Sequence, residues 1–477
     1  MKKFQVISGP FINDAGNTSK IMRHLLIALM PIILFSFFKN GILPYVSNKV
    51  TLLGMFYPLI FILLGATSTV LIEFLYARLI LKKEDDELKH YMHSSYSVFP
   101  GLFLALVLPI NTPISILFFG CVMATVVGKL LFGGFGNNIF NPALIGLLFI
   151  SIVYGPLIAE RGGYLNALEM DAITTATPLS NVATVEGIGT YETLVKPYGS
   201  LYNFLFGTIP GSLGETSAIL CILAFFYLTI FKVIKWRIPV VYVSTVFAMT
   251  YVIGGFNNLG IWYPLFQILS GGLLFGAVFM ATDPVTSPTT PIGEILYGLF
   301  LGILTVIIRY FTPYPEGVMV SILTLNMLVF IFDKIGARAR FNFNKAVPGF
   351  LFAWIIILGL SLYIGNQYKV SAKKSDPEFN ILEKNVSGDT TNYVVTQKGF
   401  SGNIKASIVI EEGFIKKIDI LEIKDNYYSK VEKENYIEQI IDAQINLELV
   451  DTVSGVTITS SAIKKMVINT LKDYRGE

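Results

Sequence analysis

The sequence predicts a polytopic α-helical membrane protein: about ten helices in a five-plus-five inverted repeat, then one more membrane helix and a small α+β extracytoplasmic domain. Composition is the first reason, because 53% of the 477 residues are hydrophobic and 14% are charged, with a mean hydropathy of +0.62. The second is a series of long apolar runs, and the third is a polar C-terminal tail. A membrane protein with one soluble domain is therefore expected.

The apolar runs give the membrane helices. A helix needs about 20 apolar residues to cross roughly 30 Å of hydrocarbon. Runs of this kind lie at 22–40, 51–80, 97–110, 113–133, 140–156, 217–234, 238–255, 262–281, 292–310 and 317–332. An eleventh, at 347–365, leads into the tail. The third run is short and is interrupted by Pro109 and Pro113, which favours a half-helix.

Orientation follows from the positive charges. Lys and Arg collect in the segments 2–23, 78–89, 232–237 and 334–345, which fall on one side of the membrane under this helix count. That side is expected to be the cytoplasm of a protein in the cell membrane. The N-terminal segment is polar and the first apolar run begins near Ile21, so we expect this helix itself to direct insertion. The loop at 157–216 and the tail then lie outside.

Net charge and cysteine spacing disfavour a nucleic-acid partner and a metal site. The net charge of +3 is too small to favour a nucleic-acid partner, which needs a concentrated basic surface. Cys121 and Cys221 lie in apolar runs with no metal-binding spacing, so they are expected to be buried structural thiols, and no metal site is predicted.

Three domains are predicted, at 1–345 for the membrane part, 346–390 for the last membrane helix and a tether, and 391–477 for the soluble part. Residues 369–477 carry 15 Lys/Arg and 17 Asp/Glu, as an ordinary soluble domain does. NIKASIVIEEG and FIKKIDILEIK alternate as strands and predict a hairpin that turns at Glu412 and Gly413. The polar segment 369–390 predicts a tether or a connecting helix.

One seven-residue pattern occurs twice, as DAITTAT at 171–177 and as DTVSGVT at 451–457. Each copy has Asp, two variable residues, Ser or Thr, one variable residue, Ala or Val, and Thr. A terminal hydroxyl with small neighbours and an acid six residues before it suits a modification site. A phosphate ester on Thr457 would precede a predicted helix, whose free amides favour an anion, and Pro178 suits a helix start after Thr177. The alternative is a Ser/Thr-rich helix cap at each position.

DTVSGVT resembles the site at which FMN is joined through its phosphate to Thr in domains of the Rnf G and Nqr C type. DAITTAT is similar to the equivalent site of the Rnf D and Nqr B membrane proteins. The resemblance implies covalent FMN at Thr457 and Thr177. It also implies that Asp451 and Asp171 help a flavin transferase to recognise each site, and that Ser454 and Gly455 belong to the tail site.

Three membrane segments carry the same resemblance: SKIMRHLLIALMP at 19–31, FGGFGNNIFNPALIG at 132–146 and FMATDPVTSPTTPIGEILYG at 279–298. They are similar to the Rnf D/Nqr B family. The resemblance implies a fused D/G subunit of an Rnf-like complex, which moves electrons between ferredoxin and NAD and couples them to Na⁺ or H⁺ transport. Partner subunits would supply the iron–sulfur and nucleotide sites. The alternatives are an Nqr B/C-like subunit with quinone as acceptor, and a passive inverted-repeat transporter with a binding module.

Polar breaks within the membrane part give a candidate central site. Segments 109–113 and 283–288 face opposite sides under the predicted orientation, as an inverted repeat would produce, although both also suit Pro-rich helix ends. The family resemblance implies a second, non-covalent flavin here, riboflavin or FMN, near an ion route. Asn137 and Asn141, with Asn138 between them, suit hydrogen bonds to a flavin or a tight packing loop. Asp283 is either functional or an interfacial cap. No catalytic residue is assigned.

Overall fold

The computed structural model describes residues 18–160, 177–182, 188–215, 217–312, 317–371, 379–398, 403–423, 431, 435–443 and 457–475. The chain divides into two compact units. One consists of Met1–Ala183 and Gly187–Val370, and the other of Thr184–Glu186 and Ser371–Glu477.

The first unit is helical and apolar enough to be a multi-pass membrane domain. Its part that the structure describes has six helices that are long and apolar enough to cross a bilayer: Thr18–Val46, Leu52–Ile80, Ile114–Phe132, Arg237–Gly255, Pro291–Phe311 and Val347–Gln367. Two bent pairs raise the number to eight: Trp262–Leu269 with Leu273–Met280, bent by 65°, and Val318–Asn326 with Val329–Phe341, bent by 62°.

Every apolar run that the sequence marks as a membrane helix coincides with helix in the structure. The runs not covered by those eight form three further helices, at Pro142–Glu160, Ala218–Ile230 and Val98–Val107. The last of these has ten residues, about 15 Å at 1.5 Å per residue, so it reaches only half-way across the hydrocarbon.

Proline ends this half-helix. Pro109 and Pro113 bracket the break between Val98–Val107 and the helix that starts at Ile114. The carbonyls exposed by the break find partners in another loop: the Gly214 amide donates to the Leu106 carbonyl at 2.7 Å, and the Leu213 amide to the Leu108 carbonyl at 3.4 Å. Irregular backbone can persist among membrane helices because it is paired inside the protein.

Shorter elements connect the membrane helices. A polar helix, Asp85–Ser95, follows the second long helix. Single π-helical turns occur at Phe38–Ile42, Tyr76–Ile80, Met123–Val127 and Gly276–Met280. The remaining short helices are Leu130–Phe132, Pro178–Val182, Tyr191–Leu194, Lys196–Tyr198, Leu201–Phe206 and Phe343–Lys345, and two short strands lie at Ile188–Gly189 (β1) and Val370–Ser371 (β2).

Glycine allows two membrane helices to touch backbone to backbone. A Cβ added at Gly65 would lie 2.7 Å from the Gly101 carbonyl oxygen, and one at Gly101 would overlap the Gly65 carbonyl and lie 2.6 Å from Thr69 Oγ1. Helices Leu52–Leu75 and Val98–Val107 therefore approach closely. Small residues serve this purpose in membranes, where helix association depends on close packing.

The second unit is a four-stranded antiparallel sheet with helices. Its strands, Phe379–Ser387 (β3), Thr390–Lys398 (β4), Asn403–Glu411 (β5) and Phe414–Glu422 (β6), pair in that order. The predicted hairpin is confirmed as β5 and β6, with both Glu412 and Gly413 at positive φ, 50° and 85°. Helices Tyr436–Ala443 and Thr457–Arg475 complete the unit.

One expectation for the tail is wrong. Residues 379–387, assigned to a tether or connecting helix, form β3 and pair with β4. β3 is an edge strand, and Ile381, Leu382 and Val386 are exposed on it. Every β3 residue from Asn380 to Val386 is exposed, so this strand lacks the buried apolar positions whose alternation marks β5.

The core of this unit lies between the sheet and its helices. Alternate residues of β4 and β5 are buried, as a sheet with one covered face requires. They pack against one face of the last helix, Thr457–Arg475. The buried members from that helix are Ala462, Ile463, Met466, Val467 and Leu471, and from the strands Tyr393, Val395, Ile404, Ala406, Ile408 and Ile410.

Candidate functional site

A cavity within the membrane unit brings together the two sequence segments best marked by motif. It has about 720 Å³ of space between its walls, part of it open to the surroundings. Its aromatic lining consists of Tyr96, Phe99, Phe103, Phe135 and Phe279, and its polar lining of Lys129, Asn138, Asn141, Thr282 and Asp283. A large apolar cavity with a few polar groups is the usual form of a small-molecule site.

The glycine-rich segment 132–141 forms one wall through an unusual backbone path. Gly133, Gly134 and Gly136 have φ of 100°, 94° and 93°, a region that L side chains rarely adopt. The resulting turns direct Asn138, which is 6% exposed, to the cavity. Asn137, by contrast, is exposed, donates to the Gly133 carbonyl at 3.3 Å and does not line the cavity. The structure thus favours Asn138 over the predicted Asn137.

Asn141 combines a cavity position with a structural task. Its Oδ1 accepts hydrogen bonds from the amides of Ala143 at 3.1 Å and Leu144 at 3.4 Å, which caps helix Pro142–Glu160. Its Nδ2 lies 3.5 Å from the Met280 carbonyl. Asn141 therefore joins the segment 132–146 to the segment 279–298, and both the packing and the cavity interpretations of this residue apply.

Asp283 also holds a turn while lining the cavity. Its Oδ1 accepts from the Val285 amide at 3.3 Å and its Oδ2 from the Thr286 hydroxyl at 3.1 Å. It lies three residues beyond the end of helix Leu273–Met280. Burial raises the pKa of its carboxyl, and the two hydrogen bonds oppose that rise. The residue is thus a cap for its own turn and an ionisable group at the cavity.

Lys129 is a charged residue at this cavity that the sequence prediction missed. It is 1% exposed, and its Nζ lies 2.7 Å from Glu73 Oε2, 2.7 Å from the Ser95 carbonyl and 2.8 Å from Ser95 Oγ. A signal was present in the sequence, since Glu73 and Lys129 each stand inside an apolar run where charge is costly. Opposite signs on two neighbouring helices indicate a pair.

The two threonines of the repeated pattern begin helices. Thr177 directly precedes helix Pro178–Val182 and is 7% exposed, so it is less accessible than the small neighbours in its pattern suggest. Thr457 is the first residue of the 19-residue helix Thr457–Arg475. The other predicted residues of the two patterns, Asp171, Asp451, Ser454 and Gly455, lie outside the described residues.

Comparison with known proteins assigns the membrane part. Residues 5–342 match the NQR2, RnfD, RnfE family. The chain belongs to this family. Residues 399–472 match the FMN-binding domain. This member of the NQR2, RnfD, RnfE family thus carries an FMN-binding domain behind its membrane domain, as the motifs predict.

Three relatives show how far the family likeness extends. The D subunit of the proton-translocating ferredoxin:NAD(+) oxidoreductase complex of Clostridium ljungdahlii is 35% identical, over 72% of this chain and 97% of the relative. The D subunit of the Na(+)-translocating ferredoxin:NAD(+) oxidoreductase complex of Acetobacterium woodii is 31% identical, over 71% and 96%. The B subunit of the Na(+)-translocating NADH-quinone reductase of Chromohalobacter salexigens is 35% identical, over 53% and 60%.

Proposed function

We propose that this chain is the D subunit of an Rnf-type ion-translocating ferredoxin:NAD(+) oxidoreductase, with a G-type FMN-binding domain fused to it. One observation carries the proposal: two D-subunit relatives align over 97% and 96% of their length, and the 74 residues that match an FMN-binding domain follow in the same polypeptide. The chain would act as a flavin-carrying subunit and form part of the ion path, with iron–sulfur and nucleotide sites on partner subunits.

Thr457 and Thr177 are the proposed attachment points of two FMN groups, each through a phosphate ester to the hydroxyl. For Thr457 the support is its place at the start of a 19-residue helix, where backbone amides lack intrahelical partners and favour a phosphate. For Thr177 the support is the repeated pattern itself. Asp451 and Asp171 would be recognised by a flavin transferase, with Ser454 and Gly455 completing the tail site.

A non-covalent flavin, riboflavin or FMN, is proposed for the cavity. The fit rests on the residues present: flat apolar walls from Phe99, Phe103 and Phe279, and amide and carboxyl groups from Asn138, Asn141 and Asp283. A flavin bound there would supply one-electron and two-electron redox chemistry, and these residues would hold and orient it.

The proposed membrane arrangement has ten helices in two inverted sets of five, followed by an eleventh. The support is the pair of interrupted helices, one ended by Pro109 and one bent by 65° between Leu269 and Leu273. The positive charge of the connections supports a tail outside the cytoplasm. Because the tail and the membrane part belong to one polypeptide, their connection would raise the effective concentration of one flavin at the other.

The coupling ion and the electron acceptor differ among the relatives. The two D-subunit relatives are named for protons and for Na(+), so either ion suits this chain. An Nqr-type role with quinone as acceptor has weaker support, because the B-subunit relative aligns over only 60% of its length. The ferredoxin and NAD role is therefore preferred.

Covalent flavin is the direct test. The full chain is produced in cells that make a flavin transferase, separated on a denaturing gel and viewed under ultraviolet light. Thr177→Val and Thr457→Val should each keep a fluorescent band, and the double variant should be dark. Thr175→Val and Thr452→Val are matched controls, since each removes a hydroxyl from the same pattern at a position that carries no flavin. A dark wild-type band, or a fluorescent double variant, would overturn the assignment.

A further inference from the structure

A chain of hydrogen bonds runs from a polar surface groove to the cavity through the membrane unit. The groove lies along helix Asp85–Ser95 and is lined by Lys83, Asp86, Glu87, His90, Tyr91 and Ser94. The Tyr91 hydroxyl donates to Glu73 Oε1 at 3.2 Å. Glu73 is fully buried, and its Oε2 lies 2.7 Å from Lys129 Nζ, which lines the cavity. The groove and the cavity are thus joined by ionisable groups.

Ser95 links Glu73 and Lys129 within this series of hydrogen bonds. Its hydroxyl hydrogen-bonds to Glu73 Oε1 and also lies 2.8 Å from Lys129 Nζ. A hydroxyl can accept from one neighbour while it donates to the next, so Ser95 offers a direct link between the carboxyl oxygen that meets Tyr91 and the ammonium at the cavity. Each link is a direct hydrogen bond, and no intervening water is required.

Other charged groups lie near these residues, but among the described residues only Lys129 forms an ion pair with Glu73. Lys83 stands 5.6 Å from the centre of the Tyr91 ring, and Tyr76 is the other ionisable neighbour of Tyr91 on helix Leu52–Ile80 and its π-helical turn. Lys129 faces the Phe135 ring at 5.8 Å, and Asp283 is the carboxyl that shares its cavity. Within the described ranges of the chain, the Glu73 carboxylate pairs with Tyr91, Ser95 and Lys129 alone.

The buried ion pair of Glu73 and Lys129 would be a costly arrangement if its only role were to pack the helices. A buried ion pair commonly stabilises no more than apolar side chains of the same volume would, and a charged residue inside a membrane helix usually serves a function. Burial and the nearby Glu73 carboxylate raise the pKa of Tyr91, so its hydroxyl keeps a proton at neutral pH. Such a hydroxyl passes a proton on only as it gains another.

We propose that Tyr91, Glu73, Ser95 and Lys129 form a proton relay from the groove to a flavin in the cavity, an inference that rests on the cavity flavin proposed above. A reduced flavin gains protons as well as electrons. The Lys129 ammonium would donate a proton toward such a flavin, and Lys129 would regain one through Ser95 and Glu73. Glu73 is supplied by the Tyr91 hydroxyl, which recovers a proton from water in the groove. One proton moves inward, no electron moves along the relay, and every group ends as it began.

The test follows the cavity flavin alone. Thr177→Val and Thr457→Val together remove the covalent flavins from the full chain. Dithionite is then added to the purified protein, flavin bleaching and proton uptake from a pH-indicator dye are followed in H₂O and D₂O, and the flavin midpoint potential is measured. Tyr91→Phe is the test variant, because it removes only one hydroxyl at the groove end. Tyr76→Phe is the matched control, since its hydroxyl has no place in the relay.

Tyr91→Phe should slow proton uptake by about tenfold or more, less than the 10²–10⁴-fold of a fully positioned acid because water can partly replace the hydroxyl. Its flavin content and midpoint potential should equal those of the parent, and its sensitivity to D₂O should change. Ser95→Ala should slow uptake in the same direction, and Tyr76→Phe should match the parent.

Equal rates and isotope effects in Tyr91→Phe and Tyr76→Phe, with flavin bound, would overturn the relay while leaving the cavity flavin in place. A rate that follows Na⁺ concentration and is indifferent to D₂O would overturn it in favour of cation entry through the groove. Absence of flavin from the double-threonine variant would overturn the cavity assignment and the relay together, although covalent FMN at the two threonines would still stand on its own gel test.

Discussion

Glu73 and Lys129 form an ion pair between two membrane helices, 2.7 Å apart, with side chains that are 0% and 2% exposed. They lie 56 residues apart in sequence. Neither charge has solvent to stabilise it, so each depends on the other. Lys129 also lines the cavity in which a flavin is proposed, so the pair has a structural role and a proposed functional one.

Removal of one member of this pair should be far more damaging than removal of both. Lys129→Met or Glu73→Leu alone leaves a buried charge and should cost about 3–5 kcal/mol, whereas the double variant should recover most of that stability. The apparent midpoint of thermal unfolding in detergent measures this. Additive losses in the double variant would show that the two charges are not coupled. The exposed pair of Lys196 and Glu192 is the control, and its removal should change stability by less than about 1 kcal/mol.

The cavity asparagines should differ in their effect on flavin retention. Asn138→Ala and Asn141→Ala should lower the amount of non-covalent flavin that copurifies, and Asn141→Ala should also destabilise the protein by about 0.5–2 kcal/mol through the lost helix cap. Flavin released by mild denaturation is measured by fluorescence. Asn137→Ala is the matched control, because Asn137 is exposed and outside the cavity. Flavin loss in Asn137→Ala equal to that in Asn138→Ala would contradict the assignment.

Close helix packing at Gly101 should be intolerant of one added methyl group. In Gly101→Ala the new Cβ meets the Gly65 carbonyl and Thr69, so the two helices must separate, at about 1–3 kcal/mol. Gly359→Ala is the control, because a Cβ at this position of helix Val347–Gln367 would have no neighbouring atom within 4 Å among the described residues. It should be neutral or slightly stabilising. The midpoints of thermal unfolding of both variants measure this cost. Equal midpoints would show that the two helices accommodate the added methyl group without loss of stability.

Asp333 should anchor the start of a membrane helix from outside that helix. Its carboxylate accepts from the Thr289 amide at 2.8 Å and the Thr290 amide at 2.9 Å, and from both threonine hydroxyls, directly before helix Pro291–Phe311. Asp333→Ala leaves these donors without an acceptor and should cost about 1–3 kcal/mol. Asp86→Ala, at an exposed carboxylate, is the control in the same unfolding measurement. No difference between them would mean that water replaces Asp333.

Local pattern accounts for most of what the sequence predicts correctly. The membrane helices and the β5–β6 hairpin depend on runs and alternations within one segment, and those patterns are visible along the chain. β3 does not show in the sequence because its residues from Asn380 to Val386 are all exposed, so the strand has no buried apolar positions to alternate. The spacing of the asparagines also does not reveal that Asn138, and not Asn137, lines the cavity. Gly133, Gly134 and Gly136 have positive φ and change the direction of the chain just before these residues, so the direction of each side chain depends on the fold.

The sequence by itself determined that this chain crosses a membrane repeatedly, that an FMN-binding domain follows, and which family it belongs to, because apolar length and contiguous motifs are local properties. Only the tertiary structure decided that Lys129 meets Glu73, that Asn138 and Asp283 line the same cavity, and that Tyr91 connects that cavity to a groove. Those contacts join residues that are distant in sequence. They form because helix packing brings only a few polar groups within hydrogen-bonding distance of each buried charge or hydroxyl. The sequence of a single segment does not specify which groups these are.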